Sequence, residues 1–302
     1  MKRSTTIIIF LFIVIVLVAV SLSKKQQVLK NRKAIVAVTT FSLYDITKHI
    51  AGNSVEIVNI LPFGVDPHDY EPTPKTMANI EKASLSIYSG AGLEPWMHGF
   101  SFKSKVIDMS QFMELRKLTK DELHGDEVLD PHYWLDFSNM ETATELITEE
   151  LIKIVPKNRD TYLKNRDAYL TMLKKLDMQF KNGLANCERD TIIVNHNAFG
   201  YLADRYNFHV ESLSGLSPDA QPNAQNVIRL LRTIKEHNVS TVFFESFASD
   251  RAIKGIALEA HTKVDVLQPL GNITADTAKK ELTYEDIMKE NLLKLSGALA
   301  CH

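Results

Sequence analysis

Three histidines of this chain each sit in a short motif of their own: His68 in Asp66-Pro67-His68-Asp69-Tyr70-Glu71-Pro72, His132 in Asp130-Pro131-His132-Tyr133-Trp134-Leu135, and His196 in Asn195-His196-Asn197-Ala198-Phe199. Neutral imidazole is the commonest protein ligand for zinc, and three imidazoles brought together from separate loops would enclose a transition-metal ion. The spacing of the three is equal, but their surroundings differ, so no internal repeat is read from it. His49, His98, His237 and His261 fall in or beside helical patterns, His209 inside a strand pattern and His302 at the chain end. None of these stands in a partner motif, and none is expected at the main site.

The elements that must carry the three histidines alternate. Short β-branched runs at 34–39, 55–61, 85–88, 105–108, 191–195, 208–212, 240–245 and 264–267 are bounded by Gly, Pro, Asn or Ser and separated by helical patterns. That alternation predicts an α/β protein with mostly parallel sheets. It breaks between about 138 and 186, where only helical pattern remains, interrupted at Pro156. Beyond that proline Asn158 is a candidate cap. From there Tyr162, Arg166, Tyr169, Leu173, Leu176, Phe180 and Leu184 recur at three- and four-residue spacing. A helix of roughly 25 residues would span nearly 40 Å and could join two α/β lobes as a stiff strut. The predicted organisation is an N-terminal lobe at 34–157, a linker helix at 158–186 and a C-terminal lobe at 190–302. Ligand sites in open α/β sheets gather outside the carboxyl ends of strands. His68 follows one strand, His196 ends another and His132 lies in a Pro-flanked loop before a helix, so the three are expected to meet in the cleft between the lobes.

At 302 residues, 45% apolar and 24% charged, the chain has ample material for a core. Its net charge of −2 becomes −4 once Lys2 and Arg3 are removed with a leader, and no basic stripe interleaves with aromatics, so nucleic acid is excluded as a partner. Residues 1–23 carry Lys2-Arg3 followed by an uncharged apolar run, the layout of an export signal that is either cleaved or retained as an anchor. No cysteine lies near that segment, so lipid attachment to an N-terminal cysteine is not expected. The two cysteines, Cys187 and Cys301, could pair in an oxidising compartment or remain two free thiols.

With these motifs on the page, the chain resembles the zinc- and manganese-binding solute receptors of bacterial ABC transporters. The resemblance covers nearly the whole chain beyond the leader. It rests on Pro67-His68-Asp69-Tyr70-Glu71-Pro72-Thr73-Pro74, Gly90-Ala91-Gly92-Leu93-Glu94-Pro95-Trp96, Asp130-Pro131-His132 with Trp134-Leu135, His196 with Phe199 and Tyr201-Leu202, Gly215-Leu216-Ser217-Pro218-Asp219-Ala220-Gln221-Pro222, and Phe243-Phe244-Glu245. It implies a monomeric, non-enzymatic receptor outside the cytoplasmic membrane, periplasmic or otherwise extracytoplasmic. Such a receptor carries a metal ion as cargo, with His68, His132 and His196 as ligands and a membrane permease as partner. It also implies a rigid interlobe helix, so that release of the ion moves a loop near His132 or in the acidic segment rather than rotating a whole lobe.

Three positions depart from the family pattern; at one of them Pro67, rather than an acidic residue, precedes His68. Many members place a carboxylate after the Pro-Leu pair following the penultimate strand, where this chain has Gly271 after Pro269-Leu270. The fourth position is then water or a carboxylate such as Glu245, for which an orienting or packing role is the alternative. Phe137 stands where proline is frequent, a change expected to affect a loop edge. Three nitrogen ligands suit Zn2+, while Mn2+ sites usually offer more oxygen, so zinc is the expected cargo and manganese the lesser alternative. The acidic stretch 120–127 with His124 reads as a solvated loop, with weak metal capture as the other reading. A zinc hydrolase using the same three histidines is the competing functional class; no His-Glu-x-x-His helix occurs in the sequence to support it.

Overall fold

A computed structural model describes residues 33–99, 102, 104–118, 128–214, 224–245 and 251–302. The leader, the acidic segment 119–127 and the motif at 215–222 lie outside the described residues. The eight strand predictions correspond to eight strands in two sheets. The first sheet contains β1 (Ile35–Val38), β2 (Glu56–Asn59), β3 (Leu85–Tyr88) and β4 (Lys105–Asp108), in the order β2-β1-β3-β4. The second contains β5 (Thr191–His196), β6 (His209–Ser214), β7 (Thr241–Phe244) and β8 (Lys263–Val266), in the order β6-β5-β7-β8. Every pairing is parallel. The two orders are the same topology repeated, with the first strand of each lobe inside its sheet, so each lobe is an α/β unit of one design.

Helices α1 (Phe41–Ala51) and α2 (Pro74–Ile80) belong to the first lobe, and α3 (Phe137–Ile154) leads to the long α4 (Arg159–Gly183). The second lobe adds α5 (Gly200–Tyr206), α6 (Ala224–Glu236), α7 (Arg251–Ala260), α8 (Ala275–Lys279) and α9 (Tyr284–Leu299). Local chemistry sets several starts. Thr73 accepts from Thr76 N with Pro74 in the first turn of α2, and Asp136 accepts from Ser138 N and Asn139 N at α3. Thr283 and Asp286 form a reciprocal capping box at α9. Asn158 stands at the start of α4 as predicted, but its side chain makes no capping bond there. The 25 residues of α4 bury Tyr162, Tyr169, Leu173, Leu176 and Phe180, the stripe expected from the spacing; Arg166 instead pairs with Asp167 at the surface. Among the described residues no helix is long and apolar enough to cross a membrane.

Hydrogen bonds knit the lobes beside the strand ends. Trp134 Nε1 donates to Pro269 O at 2.6 Å, and Asn272 Nδ2 donates to Pro62 O and Val65 O, both at 2.7 Å. Phe41 N reaches Gly271 O and Gly64 N reaches Ile273 O. Buried Asp45 of α1 accepts from Tyr169 Oη of α4 and from Tyr284 N of α9, and Tyr284 Oη donates to Trp134 O. Phe137 is not a loop edge, as its departure from the family pattern had suggested. It is fully buried in α3 and packs against Phe180 of α4 and Tyr284 of α9, at ring-centroid distances of 5.4 and 6.5 Å. A flat aromatic ring there contributes contact area that proline could not. Cys187 and Cys301 are joined in a disulfide that ties the end of the chain to the segment after α4.

Candidate metal centre

His68 arrives on the loop after β2, His132 on the loop before α3 and His196 at the last position of β5. All three rings face one another. His132 Nε2 lies 3.4 Å from His68 Nε2 and 3.3 Å from His196 Nε2, and one nitrogen from each ring falls within 4.8 Å of the others. The expected convergence is therefore present as geometry. His132 and His196 are buried at 2% exposure, and His68 is half-buried.

The Asp-Pro-His motif occurs at 66–68 and at 130–132 and builds the same turn twice: Asp66 Oδ1 accepts from His68 N at 2.8 Å and Asp130 Oδ1 from His132 N at 3.0 Å. Asp130 does more. The same oxygen sits 2.8 Å from His132 Nδ1, so this nitrogen carries the proton and Nε2 presents its lone pair to the cluster. Glu245, which had been a candidate fourth ligand, contacts His196 Nδ1 instead, on the side of the ring away from the cluster nitrogens. It therefore fixes the same tautomer for His196. Two lone pairs, on His132 and His196, consequently face each other at 3.3 Å. That arrangement is repulsive unless a cation lies between them.

The protonation balance follows from these neighbours. Burial, reinforced by His132 and His196, holds the His68 pKa well below the ordinary imidazole value, which keeps the ring neutral. For His196 burial is the largest influence and acts to lower the pKa, but Glu245, Asp66 and Asp130 together raise it. Asp66 is pushed up to about 6, chiefly by burial, with the Glu245 charge adding to the effect.

The loop 269–272 closes the site. A Cβ placed on Gly271 would lie 3.2 Å from Trp134 Cζ2 and 3.3 Å from Pro67 Cγ. The backbone approaches this closely because residue 271 has no side chain, so the place of the family's carboxylate is taken by ring and proline packing. Trp134, at 0% exposure, stands edge-on to His132 with centroids 5.5 Å apart.

Sequence reasoning did not find the roles of Asp130 or Asp66, for which the two Asp-Pro-His triplets were a usable signal. For Glu245 it left ligation and an orienting role open, and the contact with His196 matches the second. The remaining histidines lie elsewhere: His49 beside Asp45, His237 beside Asp190 and His302 beside Glu188. His124 falls outside the described residues.

Comparison with known proteins bears on the same arrangement. The family described as ZnuA, zinc-uptake complex component A, periplasmic, matches residues 36–298. The chain is 33% identical to the high-affinity zinc uptake system protein ZnuA of Bacillus subtilis, over 89% of this chain and 89% of that protein. It is 30% identical to the zinc-binding lipoprotein AdcA of Streptococcus pneumoniae, over 87% of this chain but 55% of that longer protein. The crystal structure of the Zn(II)-bound ZnuA-like domain of that AdcA superposes with a TM-score of 0.75 at 30% identity, covering 88% of this chain and 99% of the domain. On these matches, the chain belongs to the ZnuA family of zinc-uptake receptors.

Proposed function

We propose that this protein is the extracytoplasmic receptor of an ABC importer. It captures Zn2+ through His68, His132 and His196 and hands it to a membrane permease. The observation that carries this reading is the pair of Nε2···Nε2 separations around His132, 3.3 and 3.4 Å, with the outer nitrogens of His132 and His196 engaged by carboxylates. Zinc–imidazole bonds of about 2.0–2.1 Å at a tetrahedral angle place two ligand nitrogens about 3.3–3.4 Å apart. These two separations match those of a zinc-bound pair. A donor set of three nitrogens favours zinc over manganese, and water is the natural fourth partner because loop 269–272 supplies no carboxylate there.

The reading extends to a leader at 1–23, lobes at 34–157 and 190–302, a linker at 158–186 and action as a monomer. A hydrolytic reading lacks support: Asp130 and Glu245 are committed to His132 and His196, and Asp66 accepts from a backbone amide.

Zinc titration against a competing chelator, with metal analysis of the dialysed protein, tests the proposal. One zinc per chain is expected, with retention lost in His68→Ala, His132→Ala and His196→Ala. Stoichiometric, equally tight zinc binding by all three variants would overturn it.

A further inference from the structure

Behind His132 lies a set of contacts that the cluster itself does not use. Asp130 is fully buried, and only one of its oxygens serves His132. The other, Oδ2, faces the Arg116 guanidinium at 3.7 Å, and Arg116 Nε donates to Asp204 Oδ2 at 2.7 Å. Arg116 is 17% exposed and Asp204 is 62% exposed, so the series runs from the metal centre to solvent. The segment carrying Arg116 grips Asp130 by backbone as well: Asp130 N donates to Arg116 O at 2.9 Å. Tyr201 Oη accepts from Arg116 N at 2.8 Å and donates to Asp130 O at 2.9 Å.

Tyr201 and Asp204 lie on α5, which begins four residues after His196, whereas Arg116 and Asp130 belong to the chain before α4. The guanidinium packs over Gly200, where an added Cβ would come within 2.6 Å of Arg116 Nη1. The arrangement thus needs an arginine on one lobe and a glycine on the other.

We infer that Arg116 is a positioning residue for cargo binding, and that its exposed ion pair with Asp204 is the outer end of a relay through Asp130 to His132. A buried carboxylate needs a compensating charge to keep its orientation. Arg116 supplies it, holding Oδ2 so that Oδ1 stays on His132 Nδ1. Loss of Asp204, whether by substitution or by capture on a basic group of a docking partner, removes a contact that orients the guanidinium and so loosens the imidazole. The inference rests on the reading of His132 as a zinc ligand.

The test measures zinc affinity and the rate of zinc transfer to a chelator for the full chain and for Arg116→Gln, Arg116→Lys, Asp204→Asn and His132→Ala, with melting temperatures alongside. Outer contacts of metal-bound histidine are worth about 10–100-fold in affinity. Arg116→Gln is expected to weaken zinc binding about tenfold, and Arg116→Lys to recover most of that loss. Asp204→Asn should speed release about threefold with little change in melting temperature, because exposed ion pairs contribute little stability. Near 1 M salt, where screening acts over about 3 Å, release from the parent should approach that of Asp204→Asn. A purely structural role would not produce that salt dependence.

Zinc affinity and release within twofold of the parent in Arg116→Gln and Asp204→Asn, while His132→Ala loses zinc, would overturn the relay and leave the receptor reading standing. Undiminished binding by His132→Ala would overturn both. Should Arg116→Gln fail to fold, Asp204→Asn and the salt series decide alone.

Discussion

Removing the Cys187–Cys301 disulfide should lower stability by an amount set by chain length. The bond closes 114 residues of sequence. In the chain-entropy treatment, a loop of that size restricts the denatured ensemble by about 4.8 kcal/mol at 25 °C. The folded unit Ile35–His302 has roughly 270 residues, so its unfolding entropy near the midpoint is about 0.57 kcal/mol/K and full loss of the constraint shifts the melting temperature by about 8 °C. Residual structure in the denatured chain reduces this, which sets the expected range at about 4–8 °C. The native side changes little. Glu188 N to Ala300 O, Arg189 N to Leu299 O and His302 N to Asn186 O hold the two segments together without the sulfurs. Calorimetry of the metal-free Cys187→Ser/Cys301→Ser variant against its parent measures the shift. Zinc is omitted because a ligand of the native state alone raises the midpoint. Thiol titration of the denatured parent comes first. A shift below about 2 °C with no free thiol in the parent would refute the entropy argument, and two free thiols would refute the bond.

Asp130→Asn and Glu245→Gln keep the shape of the groups behind His132 and His196 but remove their charge, and each should weaken zinc binding about 10–100-fold; competition titration checks this, and unchanged affinity in both would mean that the tautomers are set otherwise. His49 hydrogen-bonds the Asp45 side chain, which raises its pKa to about 9 against the opposing effect of burial. A group raised in the folded state stabilises fully below its unfolded value of about 6.5, and that stability is lost as pH rises through about 9. The side chain is 42% exposed, so solvent screening leaves about 1 kcal/mol or less; a urea midpoint that falls equally between pH 6 and 9.5 in His49→Gln and in the parent would sink the assignment. Trp134→Phe removes the donor to Pro269 O and leaves a buried carbonyl unpaired, a loss of about 1–3 kcal/mol measurable by chemical denaturation; a loss under 0.5 kcal/mol would show that the carbonyl finds another donor. Amide exchange in metal-free protein should be faster at 66–72 than at 130–134 or 195–198, because His68 is the half-buried member of the cluster; the reverse order would place the exit elsewhere.

Much of this architecture was legible because it is local. Alternating β-branched runs and helical spacing located the eight strands found among the described residues and the strut α4, since period and turn residues act within ten or twenty positions. The three histidines were legible because motifs mark them. What stayed hidden lies in pairings across the chain. Whether Glu245 would ligate or support depended on the direction of its side chain from the end of β7, and residue type does not encode that. No motif marks Arg116, whose partners Asp204 and Tyr201 lie 88 and 85 positions away. Phe137 was read from the family pattern as a loop position, while Asp136 capping Ser138 and Asn139 places it inside α3. The aspartate was visible, but which side of it the helix began on was settled by packing on Phe180 and Tyr284.

The contacts between lobes also decide how the ion leaves. A wide hinge opening would break the bond from Trp134 to Pro269, two from Asn272, those joining Phe41 to Gly271 and Gly64 to Ile273, and both from Tyr284. At about 1 kcal/mol net for each of these, opening costs roughly 7 kcal/mol, an open population of about one in 10^5. Breaking a buried bond without replacement costs more, so the estimate is a floor. On the proposed ligation, zinc held by His68, His132 and His196 would add to the same barrier, since those histidines come from both sides of the cleft. Release by lobe rotation is therefore disfavoured, and the remaining route withdraws one ligand. His132 is held through Asp130, Arg116 and Tyr201, and His196 is fixed in β5 with Glu245 behind it. His68 rests on a two-residue turn closed by Asp66. If these three histidines hold the ion as proposed, the asymmetry of their support makes His68 the one expected to move first, rather than the loop at His132 that the family resemblance implied.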